Sequence, residues 1–192
     1  MDPASAVCFI VPIVRCAYRM YKRIKADGIY GVVLPKKSGK TELTKCVEND
    51  TYMLLDLESS IRLHMNREQL DKLAQLEANF EVTSYNAFYY PLAKEYIQTL
   101  RRNFKKKKII VFHSDPALLE YCHIYNVLYL TPNNKLFKEI CEKAAGNAEL
   151  LKAITDSRDA VIKLAGNKLK AFGTFDILQQ MVVDHYKLKP KL

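Results

Sequence analysis

The chain has 192 residues, of which 49% are hydrophobic and 27% charged, enough for one globular domain with a sizeable core and too apolar for a disordered or low-complexity chain. The net charge of +9 suits an anionic partner such as a nucleotide, a nucleic acid or an acidic membrane surface. The five cysteines (Cys8, Cys16, Cys46, Cys122 and Cys141) are scattered, without a C-x-x-C pair, and His64, His113, His123 and His185 lack ligand spacing; this excludes a disulfide framework and a Cys/His metal cluster, and implies a reducing, intracellular setting.

From the N-terminus, AVCFIVPIV (Ala6 to Val14) is too short to span a bilayer and is not preceded by the charged segment of a secretory signal. Asp2 and Pro3 suit a helix start, and Pro12 would kink or restart that helix. Residues 13–26 are basic, with Arg15, Arg19, Lys22, Arg23 and Lys25 set among apolar residues. They read as a helix packed across a sheet, with a membrane-surface or partner-binding helix as the alternative. Residues 1–28 are thus a basic helical extension, and residues 29–192 the main domain.

The domain opens on IYGVVLPKKSGKTELT (Ile29 to Thr44). An apolar strand at 29–34 enters a turn of Pro35, Lys36, Lys37, Ser38 and Gly39, followed by Lys40, Thr41 and a helix over 40–48. That order is the strand, phosphate loop and helix of a P-loop. Gly39 allows backbone N–H groups close to a phosphate, Lys40 reaches the β- and γ-oxygens, and the Thr41 hydroxyl can ligate Mg²⁺. The helix adds its positive N-terminal dipole. Leu34 stands where the motif has its first glycine, so the turn must be made without it, with help from Pro35. A solvated basic turn has similar composition, but the flanking strand and helix favour the phosphate loop.

After a turn at Asn49 and Asp50, TYMLLDL (Thr51 to Leu57) is an apolar strand ending at Asp56, with Glu58, Ser59 and Ser60 beyond it. Parallel strands present functional groups at their carboxyl ends, and Asp56 stands at one; a cap on the next helix is the plainer role. Ile61 to Ala78 has helical periodicity, with Leu63, Leu70, Leu73 and Leu76 as the apolar face and Arg62 and Arg67 within it. Residues 80–100 begin as loop with a short strand at 80–83 and become helical after Pro91. Tyr85, Phe88, Tyr89 and Tyr90 either pack that helix onto the sheet or line a base pocket.

Arg101, Arg102 and Lys105 to Lys108 form the densest basic run. It lies between a helix and a strand, where cations complement the helix C-terminus; gripping nucleic acid is the alternative. A strand at 109–114 ends in His113, Ser114 and Asp115, with Asp115 placed to cap a helix opened by Pro116. VLYLTP (Val127 to Pro132) is a fourth strand, and the remainder reads as helices after Asn134, over 148–154, 157–164 and 175–185, broken at Gly166, Asn167 and Gly173. No apolar β-branched run marks a fifth strand.

The order of strand, S-G-K-T loop, helix, strand ending D-x-E-S-S, Y-x-P-x-x-x-x-Y-I helix, strand ending H-S-D and strand ending T-P before K-L-F-K-E-I resembles the small P-loop nucleotide kinases of nucleoside monophosphate kinase type, especially compact viral or phage versions. The resemblance covers roughly residues 29–185, with the phosphate loop its one specific motif. It implies a three-layer α/β P-loop fold with a parallel sheet flanked by helices, and an ATP- and Mg²⁺-dependent phosphotransferase. Pro35, Lys36, Lys37, Ser38, Gly39, Lys40 and Thr41 would hold the donor phosphates. Thr41 and Asp56 would hold the metal, Arg62, Arg67 or Tyr85 would touch the acceptor, and Lys40, Asp56 and Arg158 would act in catalysis. Two departures stand out: Leu34, and a lid region whose only arginine after Arg102 is Arg158, since lysine does not replace a bidentate guanidinium. The competing reading is a catalytically weak or inactive module of the same fold, serving nucleic-acid binding or protein assembly, for example in a virus particle. Partners are thus a nucleotide substrate and, through the basic surface, nucleic acid. A membrane is not expected, and the location is cytoplasmic, with virion association in the second reading.

Overall fold

The computed structural model describes residues 28–46, 52–79, 81–105 and 107–188. The basic N-terminal extension and its boundary with the domain lie outside these residues. Five strands, β1 (Ile29–Val33), β2 (Tyr52–Asp56), β3 (Lys108–His113), β4 (Val127–Pro132) and β5 (Lys170–Phe172), form one sheet in the order β2-β3-β1-β4-β5. All four pairings are parallel. The helices are α1 (Lys40–Cys46), α2 (Leu57–Arg62), α3 (Arg67–Ala78), α4 (Val82–Asn103), α5 (Pro116–Tyr121), α6 (Asn134–Ala144), α7 (Ala148–Ala165) and α8 (Phe175–Tyr186). The result is the expected three-layer α/β fold.

The two strands β3 and β1 carry apolar runs, in β3 between Lys108 and His113, because helices cover both faces of the sheet. Side chains alternate between the faces. Ile29, Val33, Ile109 and Val111 enter a core with Leu57 and Ile61 of α2, Leu73 of α3, Tyr89 and Ala93 of α4, Leu118 of α5 and Val161 of α7. Val32, Ile110 and Phe112 enter the opposite core with Leu43 of α1 and Leu178, Val182 and Tyr186 of α8. At Gly31 a Cβ would stand 2.8 Å from Leu119 Cδ1, so a larger residue there would force the Leu119 side chain of α5 to shift. By the same alternation His113 falls on the α4 face, beside Tyr89.

Three local expectations fail. The helix expected over 61–78 is split: Asn66 and Gln69 form a reciprocal capping box, with Asn66 Oδ1 accepting from Gln69 N at 2.8 Å and Gln69 Oε1 accepting from Asn66 N at 3.0 Å. Leu63, assigned to the apolar face, is consequently 85% exposed, while Leu73 is buried. The second departure is α4, which begins at Val82 in place of the strand at 80–83 and carries Pro91 inside it. Pro91 is exposed, and Tyr89, Ala93, Ile97 and Leu100 bury one continuous face around it, which offsets the hydrogen bond that proline removes. Third, the helices expected at 148–154 and 157–164 are one helix, α7, because Ile154, Ser157, Val161 and Ala165 keep a single buried stripe across Thr155 and Asp156. The fifth strand is the short edge strand β5, whose only buried residue is Phe172.

Arg101 and Arg102 end α4, and Lys108 opens β3. The described part of the basic run therefore lies at the amino ends of the parallel strands. The predicted phosphate loop, residues 35–41, follows β1 at their carboxyl ends, on the opposite edge. Among the described residues no helix is long and apolar enough to cross a membrane.

Candidate phosphate loop and adjoining cavity

The structure makes the loop turn without the first glycine by delaying it. Leu34 stays extended and fully buried in the α8-side core, and its N–H donates to the His113 carbonyl at 3.0 Å, prolonging the β1–β3 ladder. The chain then reverses through Lys37, at φ 61°, and Gly39, at φ 91°. Both are left-handed conformations, tolerable for glycine and strained for lysine. At Gly39 an added Cβ would also stand 3.2 Å from the Phe175 ring of α8. Gly39→Ala is therefore expected to cost about 1–3 kcal/mol of stability and to weaken phosphate binding. Urea unfolding and an ATP titration measure the two effects separately.

Lys40 opens α1, and its Nζ donates to the Pro35 carbonyl at 3.2 Å across the loop. Burial pushes its ammonium below the usual lysine range, against the pull of Asp56 and Glu58. Thr41 Oγ1 donates to Asp56 Oδ2 at 2.8 Å. The other oxygen of Asp56, Oδ1, accepts from Ser59 N at 3.4 Å as the N-cap of α2. Asp56, 8% exposed, thus caps α2 with one oxygen, as one of its two sequence readings expects, and holds the Thr41 hydroxyl with the other. Ser38 Oγ is buried in the loop with no hydrogen-bond partner among the described residues, a group that a phosphate oxygen could satisfy. The Lys36 N–H is already engaged, donating to Ser157 Oγ on α7 at 3.0 Å.

The two predicted metal ligands, Thr41 and Asp56, are thus brought into direct contact. Among the described residues no three His, Cys, Asp or Glu side chains converge as a metal cage. One hydroxyl and one carboxylate fit Mg²⁺, which takes few protein ligands and completes its shell with phosphate oxygens and water.

A cavity of about 810 Å³ adjoins the loop, sharing Lys36 with it. Its walls come from Glu58 on α2, Glu77 on α3, Tyr85, Asn86, Tyr89 and Tyr90 on α4, His113, Ser114 and Asp115 at the end of β3, and Lys152 and Asp156 on α7. The Tyr85 and Tyr89 rings stack at 5.4 Å, and Tyr89 and His113 at 6.2 Å. Tyr90 donates its hydroxyl hydrogen to Asp115 Oδ2. Burial raises the Tyr85 and Tyr89 phenols well above their usual range, so both remain neutral donors.

His113 Nδ1 accepts from Asp115 N at 2.9 Å, which leaves the proton on Nε2. Burial lowers its pKa below 6.5. The unfolded chain then binds a proton that the folded chain refuses, so stability is intact above the unfolded pKa and falls as pH drops below it. His113→Asn, which retains an acceptor for Asp115 N, should flatten this dependence. Urea unfolding at pH 7.5 and 5.5 should give a smaller stability loss in the variant than in the wild type.

The other predicted residues are distributed unevenly. Tyr85 lines the cavity. Arg62 lies outside its lining, paired to Glu58 at 3.6 Å and to Glu77. Arg67 is on an exposed surface, 4.0 Å from Asp71, and is not brought to the loop or cavity. Arg158 is tied to the end of β4 and start of α6: Nη2 donates to Asn134 Oδ1 at 2.8 Å, and the guanidinium lies 4.1 Å over the Phe137 ring. Tyr89, one of the aromatic residues the sequence offers for a base pocket, lines the cavity, whereas the sequence does not single out Glu58, Asn86, His113 or Ser157 for the site. For His113 the strand alternation was the available signal, and for Glu58 its position two residues beyond Asp56. Comparison of the chain with protein-family models, curated proteins and solved structures found no match.

Proposed function

We propose that this chain is an ATP-dependent phosphotransferase built like the small nucleotide kinases, with the donor phosphates on residues 35–41 and a small acceptor in the adjoining cavity. The observation that carries the reading is the Thr41–Asp56 contact at 2.8 Å, two strands apart in the sheet, beside a cavity that shares Lys36 with the loop. A solvated turn has no need of a buried carboxylate on its threonine. Strand order supports the same place: β1 sends its chain toward β2 on one side, whereas β4 sends its chain toward β5 on the other. Ligands of open α/β sheets bind at such a switch point, outside the carboxyl ends.

The residues divide the work. Backbone N–H groups of the loop and Ser38 Oγ would orient the donor phosphates, and Lys40, released from Pro35, would follow the negative charge on the transferred group. Mg²⁺ held by Thr41 and Asp56 would neutralise charge on the β- and γ-phosphates. The stacked Tyr85 and Tyr89 would position the acceptor and exclude water from it. Transfer of label from γ-labelled ATP to a panel of nucleosides and nucleotides, with and without Mg²⁺, tests the proposal. Labelled product only with Mg²⁺ is the expected result.

The net charge of +9 favours a second role in nucleic-acid binding, and the two readings make different demands on the basic run. Because the described lysines of that run lie on the opposite edge of the sheet, neutralising Lys105, Lys106, Lys107 and Lys108 should leave ATP affinity unchanged. If the run also grips nucleic acid, the same variant will reduce the slope of log affinity against log salt for single-stranded and duplex probes. Loss of ATP binding by the folded variant would contradict the donor site proposed above.

A further inference from the structure

Resting on the phosphotransferase reading, we propose that the acceptor is an uncharged nucleoside, phosphorylated on a sugar hydroxyl with Glu58 as general base, and not a nucleoside monophosphate. Charge decides between the two. Among the described residues the cavity is lined by Glu58, Glu77, Glu81, Asp115, Glu149 and Asp156, against only Lys36 and Lys152. Lys152 is already paired with Asp156 at 3.0 Å, and among the described residues no arginine lines the walls. Arg62, the nearest candidate, is held by Glu58 and Glu77. A phosphomonoester dianion entering here would meet carboxylates without the bidentate guanidinium that normally receives it. An uncharged sugar meets acceptors for its hydroxyls.

Two independent features point to a flat, polar-edged ligand. The near-parallel rings of Tyr85, Tyr89 and His113 offer a stacking wall. Tyr89 is 1% exposed, lines the cavity, and its hydroxyl has no hydrogen-bond partner among the described residues. Such a buried donor is costly unless a ligand satisfies it. Asn86, beside it, can both donate to and accept from a base edge.

Glu58 is the carboxylate of the cavity wall nearest in sequence to the Thr41–Asp56 pair. It follows Asp56 by two residues, lines the cavity from α2, and lies 3.6 Å from the Arg62 guanidinium. In the transfer, the acceptor hydroxyl oxygen forms a bond to the γ-phosphorus as the bond from that phosphorus to the β–γ bridging oxygen breaks. ADP leaves, and the hydroxyl proton passes to the Glu58 carboxylate and then to water.

The test uses the full chain with Mg²⁺ and γ-labelled ATP, comparing the common nucleosides with their own 5′-monophosphates while ATP binding is titrated in parallel. At least one nucleoside should exceed its monophosphate in kcat/KM by about 100-fold, the scale of a like-charge mismatch. A monophosphate accepted equally or better, or no nucleoside accepted by a chain that binds ATP, would overturn the acceptor assignment and leave the donor site standing. A folded chain that binds no ATP would remove the donor site, and the acceptor assignment with it. Glu58→Gln should lower kcat by about 100-fold or more at unchanged KM and ATP affinity. Glu58→Asp should restore part of kcat. Tyr89→Phe should raise the nucleoside KM about 10-fold at nearly constant kcat. An unchanged kcat in Glu58→Gln would eliminate Glu58 as the base, and an unchanged KM in Tyr89→Phe would eliminate its hydroxyl as a contact.

Discussion

Lys40→Ala is expected to raise the Kd for Mg²⁺-ATP by about 100-fold or more while leaving the melting temperature unchanged or higher. The lysine ammonium is buried and desolvated, with one carbonyl contact at 3.2 Å, so it destabilises the loop that holds it. The sign follows from proton binding. Its pKa in the folded chain is below 10.5, so between the two values the unfolded chain binds more protons and stability rises with pH. Below that window the penalty for burying the cation is present in full, and alanine removes it. A residue serving only the fold would behave oppositely, losing stability on truncation with no specific effect on nucleotide. ATP titration and thermal melting of the same preparation separate the two outcomes.

Asp56→Asn should remove the Mg²⁺ dependence of ATP binding, weakening the Mg²⁺-ATP complex by about 10–100-fold and leaving affinity in EDTA near the wild-type value. The carboxylate serves Thr41 with one oxygen and Ser59 N with the other. Asparagine is a good N-cap, so the start of α2 survives the change. What is lost is the negative charge beside Thr41, which also acts on the Lys40 ammonium. The variant should therefore fold normally, bind free ATP, and fail to gain from metal. Thr41→Val should share the phenotype in milder form, because Asp56 would remain. An Asp56→Asn protein with wild-type Mg²⁺ dependence would leave Asp56 as a helix cap alone.

The sheet was legible because β1 and β3 are covered on both faces and so carry unbroken apolar runs. β5 was not: an edge strand of three residues with one buried side chain has no run to read. Pro91 misled for a related reason. A proline suits a first helical turn, but the buried stripe of Tyr89, Ala93, Ile97 and Leu100 continues through it, and packing overrides local preference. The loop lysine, glycine and threonine were legible through their fixed spacing. The consequence of Leu34 was not, since the prolonged ladder depends on the His113 carbonyl, 79 positions away in the chain by subtraction of 34 from 113. The cavity was hidden for the same cause. Glu58, Tyr89 and His113 come from α2, α4 and β3, and only the fold brings them to one wall.

The central claim is that residues 35–41 bind nucleotide phosphates with a metal held at Thr41 and Asp56. Calorimetric titration of ATP into the full chain, once with Mg²⁺ and once with EDTA, tests it most directly. The account predicts binding in both conditions, tighter with Mg²⁺, and loss of that binding in Lys40→Ala. A folded wild-type chain that binds no ATP, or a Lys40→Ala variant that binds it as the wild type does, would contradict it.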